Sequence, residues 1–356
     1  MARPDYGTVE AGLLNKALKD KEISKGKNIN LFQSAFTRFV GTRYASCCSN
    51  GTAALHLALK ALGIKKGDEV ICPNLTYAAV PNAILYCGAK PVFCDVNREI
   101  WVSTPDQIHE KVTKKTKAVI AVHLYGVPCY MPRIIEHARL HGYSVIEDCS
   151  EAIGAVSNMQ VVGSLGDIST FSFFGNKTIT TGEGGMVCTN QPCLNIEVEF
   201  ARNACHVNDY YHNDLGFNYR LTNLQASLGL AQLSRLKELL KKKEHIRQLY
   251  NISLDSRFER NGFEDIYSER SVCWLYTVLV SDKALFRKRM SDYNIETRPV
   301  FHPLNQLNYM PQKGNFPNSE LIHKHGVSLP SYTELSDNDI NYICEVANDS
   351  RFLSRL

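Results

Sequence analysis

Residues 144–151 read SVIEDCSE, a short apolar run that ends in acidic residues. The apolar part predicts a buried strand, and Asp148 stands at its carboxyl end. Comparable apolar runs, separated by helical patterns, occur at residues 69–72, 91–95 and 118–124. Apolar strands that alternate with helices favour an α/β fold with a mainly parallel central sheet between helices, and such sheets bind ligands beyond the carboxyl ends of their strands. We therefore expect the functional site to include the end of the 144–148 strand.

The composition of the chain is that of an ordinary globular protein. Its 356 residues are enough for about two domains, and 44% hydrophobic with 21% charged residues excludes a disordered chain or a coiled coil. The net charge is only +4, and the densest basic run, Lys241 to Lys243, fits the solvated face of a helix. We therefore expect no nucleic-acid partner.

A long helix is predicted over residues 222–248, where leucines form an apolar stripe. Beyond it the pattern changes to a strand at 274–280 and a helix at 282–293, which indicates a smaller domain. The predicted division is a large domain at 1–248, including an N-terminal arm and this connecting helix, and a small C-terminal α+β domain at 249–356.

The 12 cysteines lie mostly within apolar runs, as in Val70-Ile71-Cys72, where the residue acts as a small hydrophobe. We expect reduced thiols and therefore a cytoplasmic protein. The absence of a CxxC pair or a His/Cys ligand pattern predicts no metal site. Because no apolar run approaches 18 residues, no membrane span is expected.

Three segments could carry chemistry. Ser49-Asn50-Gly51-Thr52 opens a helix, where free N–H groups suit a phosphate but where a simple capping turn would look the same. Asp148 at its strand end could hold a positive charge, or it could be a solvated acid. Lys177 follows an aromatic strand and could be a desolvated, nucleophilic amine, although a lone lysine is usually solvated.

The order of Gly51-Thr52, Asp148, Ser172 and Lys177 along the chain resembles that of the fold-type I pyridoxal phosphate (PLP) enzymes. Within them the chain resembles the DegT/DnrJ/EryC1/StrS family of nucleotide-sugar aminotransferases. The matching segments cover nearly the whole chain; they are residues 49–55, 73–77, 147–148, 172–177, 184–186 and 218–223. The resemblance implies PLP as the cofactor, with pyridoxamine phosphate as its aminated form, and the fold-type I architecture with a smaller C-terminal domain.

The resemblance also implies a role for each matching residue. Lys177 would bond to the cofactor and carry the proton, and Asp148 would pair with the ring nitrogen. The remaining implied cofactor contacts are Tyr77 on the ring face, Glu151 near the ring hydroxyl, and Gly51, Thr52, Ala53 and Ser172 around the phosphate. Asn218 would reach that phosphate from a second subunit, which makes the expected protein a homodimer with shared sites. The implied substrate neighbours are His212, Arg298 and His302.

The implied reaction moves an amino group from L-glutamate, leaving 2-oxoglutarate, to C4 of a nucleotide-linked 4-keto-6-deoxyhexose. Residues 172–186 resemble the branch that converts GDP-4-keto-6-deoxymannose to GDP-perosamine. The alternative is a UDP- or dTDP-4-keto-6-deoxyglucose 4-aminotransferase that makes viosamine. The chain departs from the family pattern at residues 21–26 and 73–76, which commonly line the sugar pocket.

Two alternative hypotheses of function can be tested against single residues of the sequence. The related 3-dehydratases carry histidine in place of the lysine, and Lys177 argues against that reaction. A non-catalytic binding protein with this fold would be expected to lose Lys177 or Asp148, and both are present.

Overall fold

The structure is a computed structural model that describes residues 3–265, 268–310 and 313–352. The first part of the described chain contains α1 (Thr8–Lys19), α2 (Lys27–Val40), β1 (Tyr44–Cys48), α3 (Gly51–Ala61), β2 (Glu69–Pro73), α4 (Ala79–Tyr86), β3 (Lys90–Cys94), α5 (Pro105–His109), β4 (Thr116–Val122), α6 (Met131–His141) and β5 (Ser144–Asp148). The middle contains β6 (Val156–Ser157), β7 (Gln160–Val161), β8 (Ile168–Ser172), β9 (Gly185–Thr189), α7 (Pro192–Arg202), β10 (His206–Asn208), β11 (Tyr211–His212) and α8 (Asn223–Ser253). The last part contains β12 (Glu259–Arg260), β13 (Tyr276–Leu279), α9 (Lys283–Asp292), β14 (Arg298–Pro299), α10 (Pro317–His325), β15 (Gly326–Leu329) and α11 (Asp337–Ala347).

The central sheet has seven strands in the order β1-β9-β8-β5-β4-β2-β3. Neighbours from β3 to β8 pair in parallel, whereas β9 runs antiparallel to both β8 and β1. Almost every residue of these strands is buried, which explains their continuous apolar runs. The predicted strands at 69–72, 91–95, 118–124 and 144–148 appear as β2 to β5, and the predicted mainly parallel α/β fold is confirmed.

The helix starts follow local chemistry. The Asn50 side chain accepts a hydrogen bond from the Ala53 N–H (2.8 Å) and caps α3. Thr104 caps α5 with Pro105 in its first turn, and α6 begins at Met131 with Pro132 in its first turn. These caps fix where each helix begins relative to the preceding strand.

The helix α8 connects the sheet to the C-terminal elements, as the leucine stripe predicts. It runs for 31 residues, five beyond the predicted end at 248, so the predicted domain boundary falls inside it. Its last turns place Ile246, Tyr250 and Leu254 in a hydrophobic cluster with the buried faces of β13, α9 and α11. The division into domains at 1–248 and 249–356 stays a prediction, and α8 contributes residues to both of them.

The N-terminal arm is held on α8 by charge as well as by packing. Arg235 bonds to Asp5 (2.6 Å) and to Glu10 (3.0 Å), and Gln232 donates to Glu10 (2.8 Å).

The twelve cysteines are all free thiols, ten of them buried. Within the described residues, every helix is too short or too polar to cross a bilayer.

Candidate active site

The carboxyl ends of the parallel strands surround a cavity of about 430 Å³. Asp148 ends β5, Ser172 ends β8, and Tyr77 follows β2, while Gly51 and Thr52 open α3 beside them. All five line the cavity, together with Glu151 and Lys177. The topology therefore brings together the three segments that the sequence singled out separately.

Lys177 is placed by a turn after β8, in which its N–H donates to the Phe174 carbonyl (2.9 Å). Its side chain is only 13% exposed, its Nζ lies 3.6 Å from Glu151 Oε1, and the same atom lies 3.9 Å from the centroid of the Trp274 ring. Burial lowers the pKa of Lys177 below its ordinary value, although Glu151 and Asp148 oppose this effect. A lysine whose pKa is lowered is more readily the neutral nucleophile that a carbonyl group requires.

Glu151 faces the lysine from the loop after β5. Its Oε2 accepts a hydrogen bond from the Tyr125 N–H (3.0 Å). Burial raises its pKa to about 7, while Lys177 opposes the rise. Lys177 and Glu151 are close enough to titrate as a coupled pair.

The start of α3 approaches the end of β8 closely at Gly51. A Cβ added at Gly51 would lie 2.8 Å from the Cβ of Ser172, so only glycine fits without a shift. This leaves backbone and small hydroxyl side chains, Thr52 and Ser172, around the positive end of a helix dipole, which suits a phosphate. The Ala53 N–H is already donated to Asn50, and its predicted phosphate contact remains a prediction.

A second wall of the cavity comes from segments that the sequence did not single out. Tyr125 has a left-handed backbone (φ 53°), is buried, and stacks between Trp274 and Phe301, with ring centroids 5.9 and 5.6 Å away. Trp274 is fixed by donation from its Nε1 to the Asn176 carbonyl (2.9 Å). Trp274 stands at the start of a run that reads simply as a strand, so its pattern carries no signal of a site.

The structure places only some of the predicted substrate and phosphate contacts at the cavity. Arg298 lines the cavity from β14. His302 is exposed beyond the lining and contacts the His323 ring at 4.4 Å, and His212 lies on the exposed β10–β11 hairpin, where its Nδ1 is 2.7 Å from the Ala204 carbonyl. Asn218 also lies outside the lining and accepts a hydrogen bond from Arg220 (3.0 Å). Within one chain, therefore, only Arg298 of these four residues reaches the cavity.

Comparison with known proteins identifies the family. The model of the DegT/DnrJ/EryC1/StrS aminotransferase family matches residues 4–347. The chain belongs to the DegT/DnrJ/EryC1/StrS aminotransferase family. It is 42% identical to a GDP-perosamine synthase of Escherichia coli O157:H7, over 98% of this chain and 97% of the relative.

Solved structures agree with this assignment. The aminotransferase TlmJ of Streptoalloteichus hindustanus superposes with a TM-score of 0.93 at 26% identity, covering 98% of this chain and 97% of the other. Spr1654 of Streptococcus pneumoniae, solved in its PLP form, superposes with a TM-score of 0.91 at 25% identity and with the same coverage. The predictions that this chain is an enzyme of the aminotransferase class and that PLP is its cofactor are confirmed.

The residues of this aminotransferase fit that cofactor. A buried amine, a carboxylate at the end of β5, and a cradle at Gly51 that a Cβ would fill line one cavity of suitable chemistry. Lys177 would hold PLP through its Nζ, Asp148 would face the ring nitrogen, and Thr52 with Ser172 would hold the phosphate. When bound, PLP supplies an electron sink for bond breaking at the substrate carbon.

A first prediction concerns the pH dependence of stability in the cofactor-free protein. Because the pKa of Glu151 is about 7 in the folded chain against an ordinary 4.5, this side chain stabilises the fold most below pH 4.5, and the contribution is lost as the pH rises through 7. Between pH 5 and 8 the free energy of unfolding of wild type, relative to Glu151→Gln, should fall by roughly 3 kcal/mol.

The measurement is urea unfolding of both proteins at the two pH values. Removing the Glu151 carboxylate also lowers the pKa of Lys177 further. The variant is then less stable in acid, so this effect too makes the advantage of wild type over the variant larger at pH 5 than at pH 8. A difference between the two proteins that does not change with pH would contradict the assignment.

Proposed function

We propose that this chain transfers the amino group of L-glutamate to C4 of GDP-4-keto-6-deoxymannose and so makes GDP-perosamine. The observation that carries the amino-transfer step is the Lys177 amine, buried in one cavity with Asp148 and Glu151. The sugar and the nucleotide are supported by the 42% identical relative, which is named for this product. The substrates are thus a nucleotide-linked keto sugar and an amino donor, with 2-oxoglutarate as the second product.

The roles of the residues follow from their positions. Lys177 would take the proton from the glutamate carbon that bears the amino group, and in the second half of the reaction it would deliver a proton to C4 of the sugar, with Glu151 as its buried partner. Asp148 places a carboxylate on the cavity wall, and the exposed ring of Tyr77 lies at the rim, where it can cover a planar ring by stacking. Arg298 is the cationic group of this cavity available to an anionic substrate, such as the glutamate carboxylate.

The runner-up substrates are UDP- or dTDP-4-keto-6-deoxyglucose, giving viosamine. In the proposed complex the cavity residues would surround the reacting carbon, so they would discriminate the position on the sugar more strongly than the distant base. Transfer to C3 would require the sugar to rotate away from the reacting geometry, which lowers the rate.

We also propose a reducing, cytoplasmic compartment, because all twelve cysteines are free thiols.

The test of the proposed function is a substrate panel. The enzyme is incubated with glutamate and, separately, with the GDP-, UDP- and dTDP-linked 4-keto-6-deoxyhexoses, and the products are detected by mass. We expect kcat/KM to be highest for the GDP sugar. A value at least tenfold higher for a UDP or dTDP sugar, about 1.4 kcal/mol of discrimination, would replace the nucleotide but leave the amino transfer in place.

A second prediction concerns Lys177 itself. Lys177→Ala should remove turnover and leave the fold intact, because the amine that bonds and moves the proton is lost. Lys177→Arg is the matched variant: it keeps a positive charge near Glu151 but offers no neutral amine, and it should be inactive too. Steady-state turnover and circular dichroism are measured together. Retention of more than about a tenth of the wild-type kcat, a loss under 1.4 kcal/mol, would remove Lys177 from this role.

We further propose a homodimer in which Asn218 completes the partner's phosphate site. Asn218 is exposed and lies outside its own cavity. The neighbouring β10–β11 hairpin and the segment after it expose large apolar side chains, with Tyr210 92% and Leu215 74% accessible in the single chain. Such a surface is suited to contact with a second copy.

Mixing inactive variants tests the shared site. If Lys177→Ala and Asn218→Ala each lose activity, exchange of their subunits should restore about a quarter of the wild-type sites, because half of the dimers are mixed and each mixed dimer holds one intact site. The control mixture, Lys177→Ala with Asp148→Asn, should restore nothing, since both residues act within one chain. Absence of recovery in the first mixture after verified subunit exchange would contradict the proposal.

A further inference from the structure

Three histidines meet on the protein surface away from the catalytic cavity. His109 is the last residue of α5, His141 is the last residue of α6, and His137 lies one turn earlier in α6. One ring nitrogen of each lies within 4.8 Å of the corresponding nitrogens of the other two. The ring centroids are 4.1 Å apart for His109 and His137, and 4.2 Å apart for His137 and His141.

Three neutral imidazoles at this spacing are the ligand set that Zn²⁺ prefers, with a fourth tetrahedral position open to water. In a tetrahedral site each nitrogen lies about 2.0–2.1 Å from the metal, so the three nitrogens must approach one another slightly. His109 and His141 are exposed, and their rings are free to make this adjustment. The pair at positions 137 and 141 lies on one face of α6, because residues four apart are helical neighbours.

The surroundings of the cluster also favour a cation. The Nδ1 atom of His137 lies 3.0 Å from the hydroxyl of the buried Tyr143, which orients the ring and leaves Nε2 as the ligand atom. Both α5 and α6 end here, so the negative ends of two helix dipoles lie beside the cluster and favour a cation.

We propose that His109, His137 and His141 form a Zn²⁺ site that links α5 to α6. The site is not catalytic, because α6 leads directly into the start of β5, whereas Asp148 and the cavity stand at the other end of that strand. Its effect is on stability, since a metal that binds only the folded chain shifts the unfolding equilibrium by mass action. The proposal does not depend on the identity of the sugar substrate.

A second cluster in the described residues, His123, Glu147 and Cys149, is a poor competitor for the ion. His123 bonds to Glu147 (3.2 Å) with one nitrogen and accepts the Cys129 N–H (3.0 Å) with the other. Glu147 accepts three backbone N–H groups besides, and burial raises the pKa of the Cys149 thiol well above its ordinary value. His123 and Glu147 therefore already have hydrogen-bond partners, and the Cys149 thiol resists the deprotonation that metal binding requires.

The test is a zinc titration of the PLP-loaded enzyme after treatment with a chelator. Isothermal calorimetry of wild type with ZnCl₂ should show one high-affinity Zn²⁺ per chain, and MgCl₂ should not bind, because Mg²⁺ prefers oxygen ligands. His109→Gln and His141→Gln change exposed side chains on different helices, and each should weaken Zn²⁺ binding at least about tenfold. His245→Gln, an exposed histidine on α8, is the matched control and should bind as wild type does.

Thermal unfolding and assays complete the experiment. Zn²⁺ should raise the melting temperature of wild type and of the His245 variant, but not of the two cluster variants, while aminotransferase activity is the same in all four proteins. The proposal is overturned if wild type binds no Zn²⁺ at micromolar concentration, or if the cluster variants bind it as wild type does. Loss of binding in only one of the two variants would overturn the link between α5 and α6.

Discussion

The buried carboxylate of Glu147 fixes the centre of the molecule. It accepts hydrogen bonds from the N–H groups of Gly163, Leu165 and Gly166 at 2.7–2.9 Å, and it pairs with His123. Burial alone would raise its pKa, but the His123 contact and the backbone donors hold it below the ordinary value. Because side chains alternate across a strand, anchoring Glu147 on one face of β5 places Asp148 on the other, toward the cavity. The same three bonds fix the loop that leads into β8, and β8 delivers Ser172 and then Lys177.

The cavity depends equally on an aromatic wall, in which Tyr125 from the loop after β4 stacks between Trp274 and Phe301 from beyond α8. Tyr125 is held in a left-handed conformation that costs free energy for a bulky residue, and the surrounding contacts maintain it. The next residue, Gly126, has no room for a Cβ, because that atom would lie 1.9 Å from the Val272 carbonyl. The loop after β4 is thereby pressed against the segment that carries Trp274. A change in this contact would move the wall against which the Lys177 amine lies.

The sequence predicted those parts of the site that are local in the chain. Asp148 and Ser172 end apolar strands, and Gly51 opens a helix, so each has a signal in its own neighbourhood. Parallel pairing then brings them together, a consequence of topology that the alternating pattern already implies. The bounds of the long helix were less well predicted, because nothing between residues 248 and 253 breaks a helix and its end is set by packing on the C-terminal strands.

Other features depend on contacts between distant segments and carried no local signal. Trp274 and Tyr125 are 149 positions apart in the printed sequence, and their stacking follows only from the fold. The histidine cluster is a similar case. The pair at 137 and 141 has helical spacing, but His109 comes from another helix, so no local pattern links the third ligand to the other two and the sequence predicts no metal site.

The carboxylates near Lys177 and the aromatic rings beside it explain how one cavity can hold an amine that is both buried and reactive. Burial favours neutral Lys177, whereas Glu151 and the face of Trp274 favour the ammonium, since a cation is attracted to an aromatic ring. These influences oppose each other, so the shift that burial imposes on the Lys177 pKa is partly offset, and the neighbouring Glu151 has a pKa of about 7. A group that must give up a proton in one half of a reaction and recover it in the other requires that balance, and here it is produced by residues that precede α8 and residues that follow it.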